Sequence, residues 1–338
     1  MMEIKSTGND GKFRGCSVRK YWFQYKWSNV FEMVRNMSAQ PSLCAERFEG
    51  KLVVITGATA GIGYETAKKY AERGARLLTI NRNKERSEAL RRELSEHFGV
   101  ECSYILADLS KLRDVQKAAE ALQSLNAKID VLIHNAGIYL NRRTLTEDGL
   151  EMNFAVHYLA PFIINSSLLE KMKRDGSARI IYVSSERYRF AAWGLCLEDL
   201  QWEKRKYSGL KAYGAAKLAQ ILSMHIFAEK FAAEGANVKI NAMHPGFVRT
   251  NTGTDNGPLY RFFKQKILDR LSKDPSIPAE ALYYLGVSPE LKNVTDRFFH
   301  LTRIEELAPP AKDRKLAEHL WDKTLEIIAS RLGGWIIK

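Results

Sequence analysis

From Gly50 onward the chain alternates short, nearly continuous apolar runs with longer amphipathic stretches. The apolar runs are Leu52–Thr56, Arg76–Ile80, Ser103–Ala107, Val131–His134, Arg179–Ser184 and Val238–Met243. Runs of that length, apolar on both alternating faces, are expected of strands covered on both sides. Between them lie stretches with helical spacing. Strand–helix alternation of this kind predicts an α/β fold, a Rossmann-type doubly wound parallel sheet. The repeating part spans residues 49–310 and is read as one domain. A C-terminal helix over 311–338 follows, packing Leu316, Leu320, Leu325 and Ile328.

Residues 1–48 have a different texture. The first fifteen are polar and predict disorder. Over 18–37, Phe23, Trp27, Val30, Phe31, Val34 and Met37 recur at helical spacing, with Lys20, Gln24, Ser28, Glu32 and Arg35 opposite. This predicts an amphipathic helix with an aromatic face. Two readings stay open: peripheral contact with a membrane, or packing on the enzyme's own surface or a second subunit of a homo-oligomer.

Composition narrows the classes. With 338 residues, 45% hydrophobic, the chain can bury a large core. The net charge of +13 suggests an anionic partner or a solvated basic surface, and no nucleic-acid motif accompanies it. Four scattered cysteines (Cys16, Cys44, Cys102, Cys196) predict no disulfide framework and fit a reducing compartment. The histidines show no metal-ligand spacing, so no metal site is predicted. No apolar run reaches membrane-spanning length and no secretory leader is evident, so a cytoplasmic protein is expected, peripherally membrane-associated if the N-terminal helix binds lipid.

The candidate chemistry lies where strands end. Gly57, Thr59, Gly61, Ile62 and Gly63 form a glycine turn between the first strand and the following helix. Such a turn lets backbone N–H groups approach a pyrophosphate. Its spacing, G-x-x-x-G-x-G, differs from G-x-G-x-x-G and disfavours an epimerase of the extended type. After the second strand comes Asn81-Arg82-Asn83, with no carboxylate. An arginine there suits the 2′-phosphate of NADP. Asp108, before Leu109, could accept from adenine or cap the next helix. Ala136 and Gly137 are small enough for a cofactor to lie close.

Four Tyr-x-x-x-Lys tetrads occur, at Tyr64, Tyr207, Tyr213 and Tyr260, so the tetrad alone proves nothing. Tyr213–Lys217 stands apart because it opens a long helical run after a strand ending in Ser184-Ser185. Residues four apart share one helix face. An ammonium about 4–5 Å from a phenol, at an effective dielectric near 20, supplies about 3–4 kcal/mol. That would bring a tyrosine of pKa about 10 into working range.

Taken together, TGATAGIG, HNAG, the VSS strand, YGAAK and HPGFVRT resemble the short-chain dehydrogenase/reductase family over about residues 50–300. The insert CLEDLQWEKRKYSGLKAYGAAKLAQ is similar to the retinol-dehydrogenase-like branch, and TDRFFHLTR with the N-terminal helix is more weakly similar to the dehydrogenase/reductase member 12 group. The resemblance implies that Ser185 binds the substrate oxygen, Tyr213 transfers the proton and Lys217 holds the nicotinamide ribose. It implies that Asn135, Pro245, Gly246, Val248 and Thr250 flank the cofactor. The family's helical asparagine, which completes a proton relay, is replaced by His157, which can donate and accept and so is a candidate to carry the relay, the alternative being that it marks altered or lost activity. Asp296 replaces the glycine usual before Phe298–Phe299, and one of two basic positions common in NADP-binding members is missing near Gly61.

The reading is an NADP(H)-dependent oxidoreductase interconverting a carbonyl and an alcohol. Tyr188, Phe190, Trp193, Leu195, Leu259, Tyr260, Phe262, Phe263 and Ile267 suggest a lipophilic small-molecule substrate. The alternative is a catalytically impaired nucleotide-binding module acting as a sensor or membrane-tethered scaffold.

Overall fold

A computed structural model describes residues 19–25, 36, 40–192, 194–246, 248 and 274–333. Eight strands form one sheet: β1 Leu52–Thr56, β2 Arg76–Asn81, β3 Cys102–Leu106, β4 Val131–His134, β5 Ala178–Val183, β6 Val238–His244, β7 Phe298–His300 and β8 Arg303–Ile304. Their spatial order is β3-β2-β1-β4-β5-β6-β7-β8. All pairings are parallel except the short β7–β8 hairpin. The six expected strands all form, with ends moved by one residue or less. The antiparallel edge strand, two exposed residues, carried no apolar signal.

Among the described helices, α1 is Arg19–Trp22, α2 Gly61–Glu72, α3 Lys84–Phe98, α4 Leu112–Gln123, α5 Ala160–Asp175, α6 Gly209–Ala233, α7 Ser276–Val287 and α8 Arg314–Leu332. They cover both faces of the sheet. On one face α4, α5, α6 and α8 bury Val54, Leu132, Ile180 and Ile240. On the other α2, α3 and α7 bury Val53, Ile55, Ile133 and Met243. Helix α7 approaches α2 closely because Gly286 has no side chain: a Cβ there would lie 1.9 Å from the Tyr70 hydroxyl. Helix α8 buries Leu316, Leu320 and Ile328 as the periodicity predicts, with Leu325 only partly covered.

The N-terminal segment departs from a continuous amphipathic helix where it is described. Helix α1 is a single turn, and residues 23–25 are not helical. The buried aromatic is Tyr21, whereas Phe23 is 93% exposed. The remaining residues of the expected aromatic face lie outside the described residues. The cysteine expectation also needs correction: Cys196 is disulfide-bonded. Cys44 and Cys102 are free and buried.

Candidate active site

In an open α/β sheet, ligands bind beyond the carboxyl ends of the strands where the strand order reverses. Here that point lies between β1 and β4. Gly57 and Gly61 in the glycine turn take φ values of 69° and 57°, in the left-handed region. A Cβ on Gly63 would fall 2.2 Å from the Gly57 carbonyl oxygen and 2.4 Å from Asn135 Nδ2. The turn is fixed from behind. Asn135 Nδ2 donates to the carbonyls of Thr56 and Gly57 at 3.1 and 2.9 Å, and Ala58 N donates to Asn81 Oδ1 at 2.8 Å. Asn135 therefore shapes the cradle. Ala136 abuts Gly57, its Cα 2.8 Å from where a Cβ would sit. Thr59 is partly exposed, while Ile62 and Leu109 are buried.

At the end of β2, Arg82 is exposed and bonded to no described residue, while Asn83 caps α3 by accepting from Arg86 N at 2.8 Å. Asp108 closes a local turn, accepting from Ser110 N and Oγ at 3.0 and 2.7 Å. The helix cap considered for it is supplied from elsewhere: Asp148 accepts from Leu112 N at 2.9 Å. A glycine cradle free of side chains, with an unpaired arginine at the ribose-side strand end, fits a nicotinamide dinucleotide.

Ser185, Tyr213 and Lys217 come together. Ser185 follows β5 by two residues, capping the turn Glu186–Phe190, and is buried; Tyr213 and Lys217 lie on α6, whose first residue is Gly209. Ser185 lies beside Tyr213, close enough to draw the phenol's pKa down. Lys217 Nζ donates to the Val183 carbonyl at 2.7 Å and lies 5.8 Å from the Tyr213 ring centroid. Gly214 lets the turn Glu186–Phe190 approach α6, since a Cβ there would lie 2.6 Å from the Arg187 carbonyl oxygen. The other described tetrads are elsewhere. Tyr207 precedes α6 and donates to Glu151 at 2.9 Å, and Tyr64 donates to Glu93 at 2.5 Å. Tyr260 lies outside the described residues.

The electrostatics differ from the simple lysine argument. Burial raises the Tyr213 phenol above its ordinary range; against it act the Arg187 guanidinium first, then the Ser185 hydroxyl. Burial lowers Lys217 to about 7. Before cofactor binds, the phenol is thus in its acid form, suited to giving a proton to a carbonyl oxygen. Arg187 follows Ser185 by two residues, and the sequence reading passed over it.

His157 sits in a widened π-type turn, Ala155–Leu159, that leads into α5. Its ring stands edge-on to Tyr213, with centroids 5.0 Å apart. Nε2 bonds to the Ile138 backbone, 2.7 Å from its oxygen, and burial and nearby Lys217 hold the imidazole far below its usual pKa. The ring packs so tightly on Gly137 that a Cβ there would meet Cε1 at 2.7 Å. The link toward Lys217 runs instead through the His157 backbone: Gln220 Nε2 donates to its carbonyl at 3.2 Å, and Gln220 Oε1 is 3.5 Å from Lys217 Nζ. Gln220 was not singled out from sequence, although it follows Lys217 by three positions and so shares its face of α6.

Pro245 and Gly246 follow β6, Gly246 with φ 77°, and Val248 packs on the adjacent core. Thr250 lies outside the described residues, as do Trp193, Leu259, Phe262, Phe263 and Ile267. Of the other aromatic pocket candidates, Tyr188 is core, donating to nothing in the site but accepting from Ala308 N at 2.9 Å. Phe190 is exposed and Leu195 buried. Behind Ser185 lies a grouping no spacing revealed: Glu186, His300 and Glu305 offer ligand atoms within 4.8 Å of one another. Arg189 already donates to both carboxylates. Burial, with the neighbouring Glu305 carboxylate, pushes Glu186 up to about 7.

The family assignment follows from this frame. Residues 51–195 match the short chain dehydrogenase family model. Mouse retinol dehydrogenase 13 is 32% identical over 82% of this chain and 84% of its own length. Human retinol dehydrogenase 14 is 35% identical over 81% of this chain and 84% of its own. Among solved structures, an uncharacterised Mycobacterium paratuberculosis protein superposes with TM-score 0.64 at 28% identity, covering 86% of this chain and 96% of that one. A Shigella flexneri short-chain dehydrogenase complexed with NADP superposes at 0.60 and 20% identity, covering 76% and 99%, a likeness of fold. The chain belongs to the short-chain dehydrogenase/reductase family, in its retinol-dehydrogenase-like branch, and is an oxidoreductase using a nicotinamide cofactor.

Proposed function

We propose that the protein is an NADP(H)-dependent oxidoreductase that interconverts a carbonyl and an alcohol on a lipophilic small molecule. The observation that carries this is the convergence of Ser185, Tyr213 and Lys217 beside the glycine cradle, with Arg82 unpaired at the end of β2. The nicotinamide, when bound, supplies or takes the hydride. Ser185 holds the substrate oxygen by hydrogen bonding, and Tyr213 gives that oxygen its proton in the reducing direction. Lys217 is fixed by the Val183 carbonyl and Gln220, which aims its Nζ along the tyrosine's face of α6. Proton transfer by a positioned side chain contributes roughly 10²–10⁴-fold.

The test is NADPH oxidation across a panel of apolar aldehydes, ketones and quinones. Turnover should appear with at least one class and fall by about 100-fold or more in Tyr213→Phe, with NADPH binding retained. Tyr207→Phe should turn over like the parent. No turnover across the panel, or an active Tyr213→Phe, defeats the reading.

A further inference from the structure

Arg187 stands out among the charged groups of the site. Its backbone N donates to Ser185 Oγ at 3.2 Å, which ties its placement to the serine. Its guanidinium carbon lies 5.3 Å from the Tyr139 ring centroid and 5.8 Å from that of Tyr213. The two phenol rings are themselves edge-to-face at 5.7 Å, so the guanidinium borders both. The side chain is partly buried, yet its N–H groups meet no described hydrogen-bond acceptor and no described carboxylate. The adjacent carboxylate, Glu186, is bound by Arg189 instead. The neighbouring imidazoles supply no negative charge, and burial and nearby cations hold His157 and His244 in their neutral form.

An arginine in a partly dry site costs free energy unless an acceptor satisfies its planar fork of donors. The acceptor that matches the fork is a carboxylate, bound bidentately. The dinucleotide's own anions do not serve, since the glycine cradle takes the pyrophosphate and Arg82 stands at the ribose-side strand end. We propose that Arg187 is a specificity-determining residue, receiving a carboxylate that the substrate carries within reach of its reacting carbonyl. The substrate class is then an amphipathic oxo-acid or hydroxy-acid, its apolar body against the Tyr139 and Tyr213 rings. This rests on the oxidoreductase reading above and names the substrate's second functional group.

The experiment uses ω-oxo carboxylic acids of increasing chain length and the methyl ester of each, with NADPH and the full chain. For at least one chain length, kcat/KM for the acid should exceed that for its ester by about tenfold or more, the worth of a charge-assisted pair. In Arg187→Gln the acid-to-ester ratio should collapse toward unity, whatever the absolute rate, and Arg187→Lys should keep part of it. Equal kcat/KM for acid and ester in the parent overturns the proposal, as does an unchanged ratio in Arg187→Gln. If neither acids nor esters turn over, the oxidoreductase reading fails separately. Arg187 is then decided by binding of the matching saturated fatty acid, followed by tryptophan fluorescence with NADPH present. Binding that Arg187→Gln abolishes upholds the anion site, and absent or equal binding overturns it.

Discussion

At the scale of single residues, the site is governed by close approach and by uncompensated charge. Gly214 shows the first. The ideal Cβ of an alanine there would meet a backbone oxygen, that of Arg187, at 2.6 Å. Backbone cannot turn aside as a flexible side chain can. Gly214→Ala must therefore push the turn bearing Ser185 and Arg187 away from Tyr213, at roughly 1–3 kcal/mol of overpacking. We expect kcat to drop by an order of magnitude or more while thermal unfolding shifts by only a few degrees, measured by steady-state kinetics and calorimetry on the same samples. Arg82 shows the second. Its exposed, unpaired guanidinium can meet a 2′-phosphate that NADH lacks. NADPH should bind about tenfold tighter than NADH, and Arg82→Asp should reverse that order in a fluorescence titration. Equal affinities in the parent would dismiss the assignment. These residues differ in legibility. Gly57, Gly61, Ser185 and the Tyr213–Lys217 pair could be read directly, because their chemistry depends on spacing within one strand end or one helix face. Arg187 could not, because its nearness to Tyr213 depends on a short helical turn folding back over α6.

At the scale of elements, polar contacts fix the strand ends on which the site is built. His225 on α6 illustrates this. Its Nδ1 is 2.5 Å from Asp296 Oδ1 and its Nε2 is 2.8 Å from the Ala311 carbonyl, so one imidazole joins α6, the entry to β7 and the turn before α8. Burial lowers its proton affinity, but the hydrogen bond and charge of Asp296, with the Ala311 carbonyl, leave the pKa above its usual value. A folded-state pKa raised above about 6.5 stabilises the fold fully below that pH and ceases to do so as pH rises through the folded value. Asp296 also has φ 60°, the left-handed region, which explains why a glycine is the ordinary residue there. Asparagine tolerates that conformation and carries no charge, so Asp296→Asn isolates the electrostatic part. The parent's advantage in melting temperature over Asp296→Asn should be largest near pH 6 and shrink toward pH 9. A gap independent of pH would mean that His225 is neutral throughout. The substitution of Asp for Gly was visible in the sequence, but its partner, 71 residues away in the chain, was not. Likewise the six long strands were legible from their continuous apolar runs. The paired edge strand and the π-type turn at His157 were not, since neither has a hydrophobic period of its own.

At the scale of the whole molecule, the question is what the N-terminal segment does. Its aromatic and basic residues fit a lipid surface or a protein surface equally well in sequence, because both present an apolar plane beside charge. The described residues favour the protein's own surface. Tyr21 is 3% exposed and packs over Gly194, its hydroxyl donating to Asp313 Oδ2 at 2.7 Å. Lys20 pairs with the same carboxylate at 2.5 Å, and Asp313 also caps α8 by accepting from Leu316 N at 3.0 Å. Asn36 is buried and donates to Glu305 at 3.1 Å, and Ser42 N donates to Thr302 Oγ1 at 2.8 Å. All these partners lie on one edge of the molecule, around β8 and the start of α8. Burying one tyrosine contributes roughly 2–3 kcal/mol, and exposed ion pairs such as Lys20–Asp313 add little. A chain beginning at Gln40 keeps Cys44 and Phe48 in the core, so it should remain folded and active. Its melting temperature should fall, and Tyr21→Ala in the full chain should reproduce part of the drop, the rest going with the Cys196 disulfide. Flotation with anionic vesicles at low and high salt provides the opposing measurement. Full-length and shortened chains should float equally poorly if the segment is docked. Phe23 remains 93% exposed, so salt-sensitive flotation of the full chain alone, with no loss of melting temperature on shortening, would assign the segment to the membrane instead.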